Sequence, residues 1–234
     1  MHGGPPSALL AHEILARAPK DRVPPAALIS RITVEFLRPV PVAAVNIDVT
    51  VVRPGRRVAL VEAVLSSGEE PVLLARAWLS RRQRIDVPAT GGSPVPAAVP
   101  FEVMDHRGWS GGYLRSIEWG WVDGAFEQPG PATAWSRCRY PLVEGQELLP
   151  VERVLLVADS GSGLSAVVRP GELIFVNTDL TVHLTRPAVG DRVWLRSESF
   201  LDPDGVGLAT TVLGDGAGQI GVAAQSLFLA PVEP

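Results

Sequence analysis

TVEFLRPVPV, residues 33–42, returns as TVHLTRPAVG, residues 181–190. The offset is 148 residues, and it holds well beyond the quoted words. Thr33, Val34, Arg38 and Pro39 meet Thr181, Val182, Arg186 and Pro187. Without a gap, Val58 meets Val206, Leu60 meets Leu208, Gly68 meets Gly216, Ala75 meets Ala223 and Leu79 meets Leu227. Solenoid repeats have periods of roughly 20–50 residues, so a spacing this long points to a duplicated domain.

Each copy reads as a helix followed by strands. Val45, Ile47, Val49 and Val51 alternate with Asn46, Asp48 and Thr50, the period of a strand with one buried face. Residues 58–65 and 72–79 follow, separated by the turn SSGEEP at 66–71. The second copy repeats the pattern at 193–200, 206–213 and 220–229, with the turns DPDG (202–205) and GDGAGQ (214–219). Ahead of the first meander, PPSALLAHEILARAP (5–19) starts on two prolines, stops before Pro19 and places Leu10, Ile14 and Ala18 on one face. Ahead of the second, PVERVLLVADSGSG begins at Pro150, with Gly161 and Gly163 as expected C-terminal glycines. The fold class is therefore α+β, a helix against an antiparallel meander, twice.

DVPATGGSPVPAAVPFEV (86–103) is rich in Pro, Gly and Ala and reads as a linker. The expected division is an N-terminal unit over 1–85, a linker over 86–108 and a C-terminal unit over 109–234. Two further strands, near 116–122 and 132–139, precede the second helix. The first copy has no room for their counterparts ahead of His2, so those strands are expected upstream or from another chain.

Bulk properties exclude several functions. The net charge is −4 with no basic cluster, whereas phosphate-backbone binding needs concentrated Lys and Arg, so no nucleic acid partner is expected. No run of 18 apolar residues exists, so no membrane span is expected. The start of the chain lacks a basic region followed by an apolar core, so no signal peptide is expected. Cys138 is the only cysteine, which rules out an intramolecular disulfide and fits a reducing cytoplasm. Four scattered histidines and no paired cysteines give no metal-ligand spacing.

In order along nearly the whole chain, HGGPPSALLAHEI, ITVEFLRPV, VLLVADSGSG, NTDLTVHLTRP and GVAAQSLFL resemble the type-II acyl-CoA thioesterases and their actinobacterial thioesterase-like relatives. The resemblance implies a double hotdog fold, two helix-in-sheet units in one chain. It implies hydrolysis of acyl-CoA to free acid and CoA without a metal or redox cofactor. It also implies an Asp, a Thr or Ser, and a Gln around one water. The Asp position is Asp159 and the Gln position is Gln225. The hydroxyl position maps to Asn177, a departure from the pattern, with Thr178 beside it as an expected substrate contact. An amide can also position a water.

The duplication tests these residues internally. Shifted back by 148, Asp159 falls on Ala11, Asn177 on Ile29 and Gln225 on Ala77, so all three become apolar together. One live site and one silent site account for this. A carboxylate can take a water's proton as general base, and side-chain amides can align the attack on a thioester. The oxyanion needs N–H donors, which a helix N-terminus supplies. His2, Gly3 and Gly4 open the first helix and are expected to bind the substrate carbonyl there. Asp159 is expected near the C-terminal end of its helix, where the dipole disfavours an anion by roughly 0.3–1 kcal/mol. A locally unfavourable residue of this kind marks a functional position.

Plainer readings stand beside these. Asp159 reads equally as a turn residue, Gln225 as a solvent-facing strand residue and Asn177 as a backbone cap. Cys138 lies between arginines, which would lower its pKa, yet it reads as structural. Trp109, Trp119, Trp121 and Trp135 read as core or interface, or as the wall of an acyl pocket. Two other classes remain in view: a non-catalytic acyl-CoA-binding module, and a hydratase or dehydratase using Asp179 and His183. Sheet edges of this kind associate, so a homodimer is expected.

Overall fold

The computed structural model describes residues 1–88, 90–104, 112–126, 128–169 and 171–232. The first copy contains α1 (Gly4–Arg17), β1 (Ala27–Phe36), β2 (Asn46–Arg53), β3 (Val58–Ser67) and β4 (Glu70–Arg81). The linker region adds β5 (Glu102–Val103). The second copy contains α2 (Gly112–Ser116), β6 (Ile117–Asp123), β7 (Ala132–Cys138), α3 (Pro150–Ala158), α4 (Gly161–Leu164), β8 (Leu173–Asn177), β9 (Asp179–Leu184), β10 (Arg192–Asp202), β11 (Val206–Asp215) and β12 (Gly218–Pro231).

All strands join one 12-stranded antiparallel sheet in the order β2-β3-β4-β1-β9-β12-β11-β10-β7-β6-β5, with β8 on β12. The repeated motif is the seam between the two copies. β1 pairs with β9, and Thr33 stands opposite Thr181. The Thr181 hydroxyl donates to that of Thr33 at 3.1 Å. Equivalent residues facing each other place a pseudo-two-fold axis at that pair.

The 148-residue offset also holds in the hydrogen-bonding register. Val61 pairs with Ala77 and Ala209 with Gln225; Ile29 pairs with Leu79 and Asn177 with Leu227. Even the irregularity between Leu65 and Ser66 recurs between Leu213 and Gly214. A one-residue slip would turn each buried row to the outside, so a shared register means a shared buried face. That face carries Ala59, Val61, Ala63 and Leu65 in β3, and Ala209, Thr211 and Leu213 in β11.

The helices lie on this face and run antiparallel to each other. Near one end, a Cβ on Gly4 would strike the Leu156 carbonyl oxygen; further along, His12 Nδ1 lies 2.7 Å from Glu152 Oε1. Proline starts both helices, and Glu152 also accepts the Leu149 N–H at 2.9 Å, satisfying an otherwise orphaned donor at the N-terminus of α3. α1 is continuous over 14 residues, whereas its counterpart breaks at Asp159 and Ser160 before resuming as α4. Gly161 and Gly163 thus do not end the helix as the sequence suggested; both lie in α4. Gly161 is required by proximity, since a Cβ there would strike Thr211 Oγ1 and come within 3.1 Å of Gln225 Oε1.

The linker is pinned rather than free. Ala97 O accepts the Trp135 indole N–H at 3.0 Å, and the Ser93 amide donates to Gln219 at 2.8 Å. β5 then pairs with β6. β7 is accordingly buried on both faces from Ala132 to Ser136. Among the described residues, β2, the counterpart of β10, has no strand on the side where β7 covers β10.

Candidate active site

The break between α3 and α4 is where the candidate residues meet. Asp159 caps α3 in right-handed helical geometry (φ −66°, ψ −13°) and is 6% exposed. Its Oδ1 accepts a 2.8 Å bond from Asn177 Nδ2 and a 3.2 Å bond from Gln225 Nε2. Gln225 also donates to the Asp159 carbonyl at 3.1 Å and accepts the Ser162 N–H at 3.0 Å. Both Gln225 N–H groups are therefore spent on Asp159, and the side chain is 1% exposed. The solvent-facing reading of Gln225 fails because inward alternation puts it in the row of Ala223 and Leu227. A buried amide must find partners, and here all of them belong to the helix break.

The second Asp159 oxygen faces the start of α1. Oδ2 lies 3.1 Å from His2 Nδ1, and a Cβ on Gly3 would come within 2.8 Å of it. Small residues at 3 and 4 let α1 approach α3 closely enough for this contact. His2 stacks on Tyr113 with ring centroids 3.6 Å apart and planes 6° apart. Tyr113 in turn donates to Leu156 O at 2.8 Å and lies 2.7 Å from Ser160 Oγ. Burial holds the Tyr113 phenol far above its ordinary pKa, outweighing the Ser160 bond, so it stays neutral. Burial also lowers the His2 pKa; the Asp159 charge opposes this and the Met1 ammonium adds to it.

His2, Gly3, Asp159, Ser160 and Asn177 line a cavity of about 770 Å³. Its apolar wall includes Met104, Leu114, Trp119, Phe126, Leu164 and Phe175. The size suits a small-molecule site with few polar groups on an apolar lining. Thr178 is not part of it: the residue is exposed, and its hydroxyl reaches toward Ser226 O at 3.5 Å. The Gly4 amide donates to His2 Nδ1 at 3.1 Å, whereas Gly3 lines the cavity. The counterparts Ala11, Ile29 and Ala77 are all buried apolar side chains, so the first copy has no polar cluster at its equivalent position.

Residues 1–80 match the acyl-CoA thioesterase N-terminal domain, and residues 93–229 match the acyl-CoA thioesterase C-terminal domain. The chain belongs to the acyl-CoA thioesterase family. It is a thioester hydrolase, and its substrates are acyl-CoA esters. No curated protein matches the sequence. Solved structures share the fold. The tesB protein of Mycobacterium avium subsp. paratuberculosis is 17% identical, with TM-score 0.75 over 99% of this chain and 88% of its own. An acyl-CoA thioesterase II from Mycobacterium marinum is 13% identical, with TM-score 0.75 over 100% of this chain and 92% of its own. A hot dog fold protein from Alicyclobacillus acidocaldarius is 17% identical, with TM-score 0.78 over 98% and 88%. The architecture is the double hotdog.

Three other sequence readings are placed by the thioesterase's geometry. Cys138 is pushed up to about 11 by burial, against a smaller lowering by Arg153, so the neighbouring arginines do not make it a reactive thiolate. Trp119 lines the cavity, Trp121 packs beside it at 6.4 Å, and Trp135 is buried under the linker; Trp109 lies outside the described residues. Asp179 accepts the Ser226 N–H at 2.9 Å and His183 is exposed, so these two do not form an acid–base pair in the cavity. Among the described residues, no three His, Cys, Asp or Glu side chains gather as metal ligands, and no helix is long and apolar enough to cross a membrane.

Sequence reasoning missed Tyr113 and the His2–Asp159 contact. Shifted back by 148, Tyr113 falls ahead of Met1, so the internal comparison did not reach it. The contact joins residues 157 positions apart, and its one sequence signal was the pair of glycines that lets the helices close.

Proposed function

We propose that this thioesterase hydrolyses acyl-CoA at the cavity beside Asp159, by attack of one water activated by that carboxylate. The observation that carries the reading is a buried carboxylate in the cavity wall, its Oδ1 fixed by two amides. Asp159 is the general base of the site. Gln225 is a positioning residue, because its hydrogen-bonding capacity is consumed by Asp159 and Ser162. Asn177 uses one N–H on Asp159, and its carbonyl oxygen, with no protein partner among the described residues, can hold the water.

The acyl group occupies the wall of Trp119, Phe126 and Phe175, and the Gly3 amide at the start of α1 faces the thioester carbonyl. Water gives one proton to the Asp159 carboxylate as its oxygen bonds to the carbonyl carbon; the oxyanion collapses, the C–S bond breaks, and that proton passes from Asp159 to the departing CoA sulfur. Thr178, outside the cavity, has no part in this scheme. The first copy is silent, and the chain divides functionally into 1–85, the linker 86–108 and 109–234. A homodimer joined at the uncovered edge of β2, and residence in a reducing cytoplasm fitting the lone Cys138, complete the proposal.

CoA release from short, medium and long acyl-CoAs tests it. Asp159→Asn is expected to lower kcat by about 100-fold or more, the typical loss for a general base, with the fold intact. Turnover indifferent to Asp159 would refute the assignment. Retained acyl-CoA binding with no wild-type turnover would instead identify a binding module.

A further inference from the structure

His2 lines the cavity beside Asp159, and the hydrolytic scheme above gives its side chain no task. The imidazole is 28% exposed. Two contacts meet one edge of the ring: the Gly4 N–H donates to Nδ1 at 3.1 Å, and Asp159 Oδ2 also lies 3.1 Å from Nδ1. Nε2, on the far edge, has no hydrogen-bond partner among the described residues. It is not one of the buried unpaired atoms either, which are Arg31 Nε and Trp119 Nε1. Nε2 is therefore free and accessible.

The tautomer follows from the partner at Nδ1. A backbone N–H can only donate, so Nδ1 accepts with its lone pair. The one proton of the neutral ring then sits on Nε2. An imidazolium would need a second proton on Nδ1, where the Gly4 N–H already points. Burial, the largest influence, also favours the neutral ring, as does the Met1 ammonium, against the opposing Asp159 charge. The cavity wall thus presents a neutral N–H donor backed by an amide of the first turn of α1. An imidazole kept neutral by a helix N-terminus can polarise a carbonyl without giving up its proton. The stack on Tyr113, itself anchored to Leu156 and Ser160, fixes the plane of the ring and with it the direction of the Nε2–H bond.

We infer that His2 is a further catalytic residue, whose Nε2–H donates to the thioester carbonyl oxygen and holds the negative charge that develops there. The inference rests on the reading of this cavity as the hydrolytic site and leaves Asp159 as the base. One water O–H bond breaks and its proton goes to Asp159 as the water oxygen bonds to the thioester carbon. The carbonyl π pair moves to oxygen, where the Nε2–H and the Gly3 amide meet it. Preorganised donors aimed at a developing oxyanion need no rearrangement during the reaction. The Nε2 proton is shared with the oxyanion and never transferred. The carbonyl re-forms, the C–S pair leaves with sulfur, and the proton on Asp159 passes to that sulfur. The second water proton stays with the product acid. Proton removal and charge stabilisation fall to opposite edges of one ring, since the Nδ1 edge lies against Asp159.

His2→Asn and His2→Gln test this together. The Asn side-chain oxygen can still accept the Gly4 N–H, but the shorter amide leaves no donor at the Nε2 position, whereas the longer Gln amide carries an N–H there. With a panel of acyl-CoAs, kcat of His2→Asn is expected to fall about 100- to 1,000-fold, the usual loss for one oxyanion donor. Its KM should stay within about threefold, because the donor acts in the transition state. His2→Gln should recover about tenfold or more of the lost kcat. Both variants should keep the acidic limb of the pH–rate profile, which belongs to Asp159. Long-range 15N spectra of the wild type should show a protonated Nε2 and a bare Nδ1, a readout independent of whether either variant folds. Equal losses in the two variants, near-wild-type turnover in His2→Asn, or a wild-type ring protonated on Nδ1 would each overturn the inference while leaving Asp159 as base. A wild type that releases no CoA from any chain length would sink the hydrolytic reading beneath it.

Discussion

Gln225→Met isolates the anchoring of Asp159. The two side chains have similar volumes, so the cavity contribution is small. Three contacts vanish together. The Ser162 N–H loses its acceptor at 3.0 Å, the Asp159 carbonyl loses its donor at 3.1 Å, and Oδ1 keeps only Asn177. A buried group left unsatisfied costs about 1–3 kcal/mol. Two backbone groups and one weakened carboxylate contact thus add up to about 3–6 kcal/mol. For a chain of this size each kcal/mol lowers the melting temperature by about 2–4 °C, so a drop on the order of 10 °C is expected. Urea unfolding should show a lower midpoint at unchanged slope. CoA release, measured well below both melting temperatures, should fall because the α3–α4 break no longer fixes the carboxylate. A stability loss under about 1 kcal/mol would mean that Gln225 does not bridge Asp159 and Ser162, and the site geometry would need rebuilding.

Two more outcomes follow from packing and charge. Gly4→Ala should destabilise by about 1–3 kcal/mol, because the new methyl meets the Leu156 carbonyl, a backbone atom that cannot swing away; differential scanning calorimetry would show it, and an unchanged transition would argue that α1 does not approach α3 this closely. Asp215 supplies a pH signature. Burial pushes its pKa up, but Arg186, at 2.6 and 2.7 Å, and the Val189 and Ala217 amides pull it below the ordinary carboxylate range. A depressed folded-state pKa stabilises the fold above the unfolded value of about 3.9 and loses that effect as pH falls through the folded one. The stability gap between wild type and Asp215→Asn should therefore shrink below about pH 4; a gap constant from pH 7 to 3 would contradict the pairing.

The duplication was readable because both copies preserve the spacing of strands and turns. Register follows from that spacing, so Ile29 and Asn177 occupy equivalent rungs although their side chains share nothing. Asp159, Asn177 and Gln225 stand out in the sequence as polar residues replacing apolar ones in an otherwise parallel text, and the structure brings their side chains together. Other parts left no such trace. The burial that raises the Cys138 pKa is a property of packing, whereas sequence shows only its arginine neighbours. The α3–α4 break was hidden because Gly161 reads as a helix terminator, while its actual constraint is the nearness of Thr211 and Gln225. Thr178 was misplaced by a single step: strand alternation and the bend between β8 and β9 expose it while its neighbour Asn177 turns toward Asp159.

The closure of β12 between β9 and β11 has a consequence for timing. Translation produces His2 first, Asp159 much later and Gln225 later still. Until β12 enters the sheet, no amide holds the Asp159 carbonyl or the start of α4 in place. Contacts between residues distant in sequence must first overcome loop-closure entropy, which slows folding. A nascent chain that stops short of β12 carries the Asp159 carboxylate but not the amide of Gln225 that holds it.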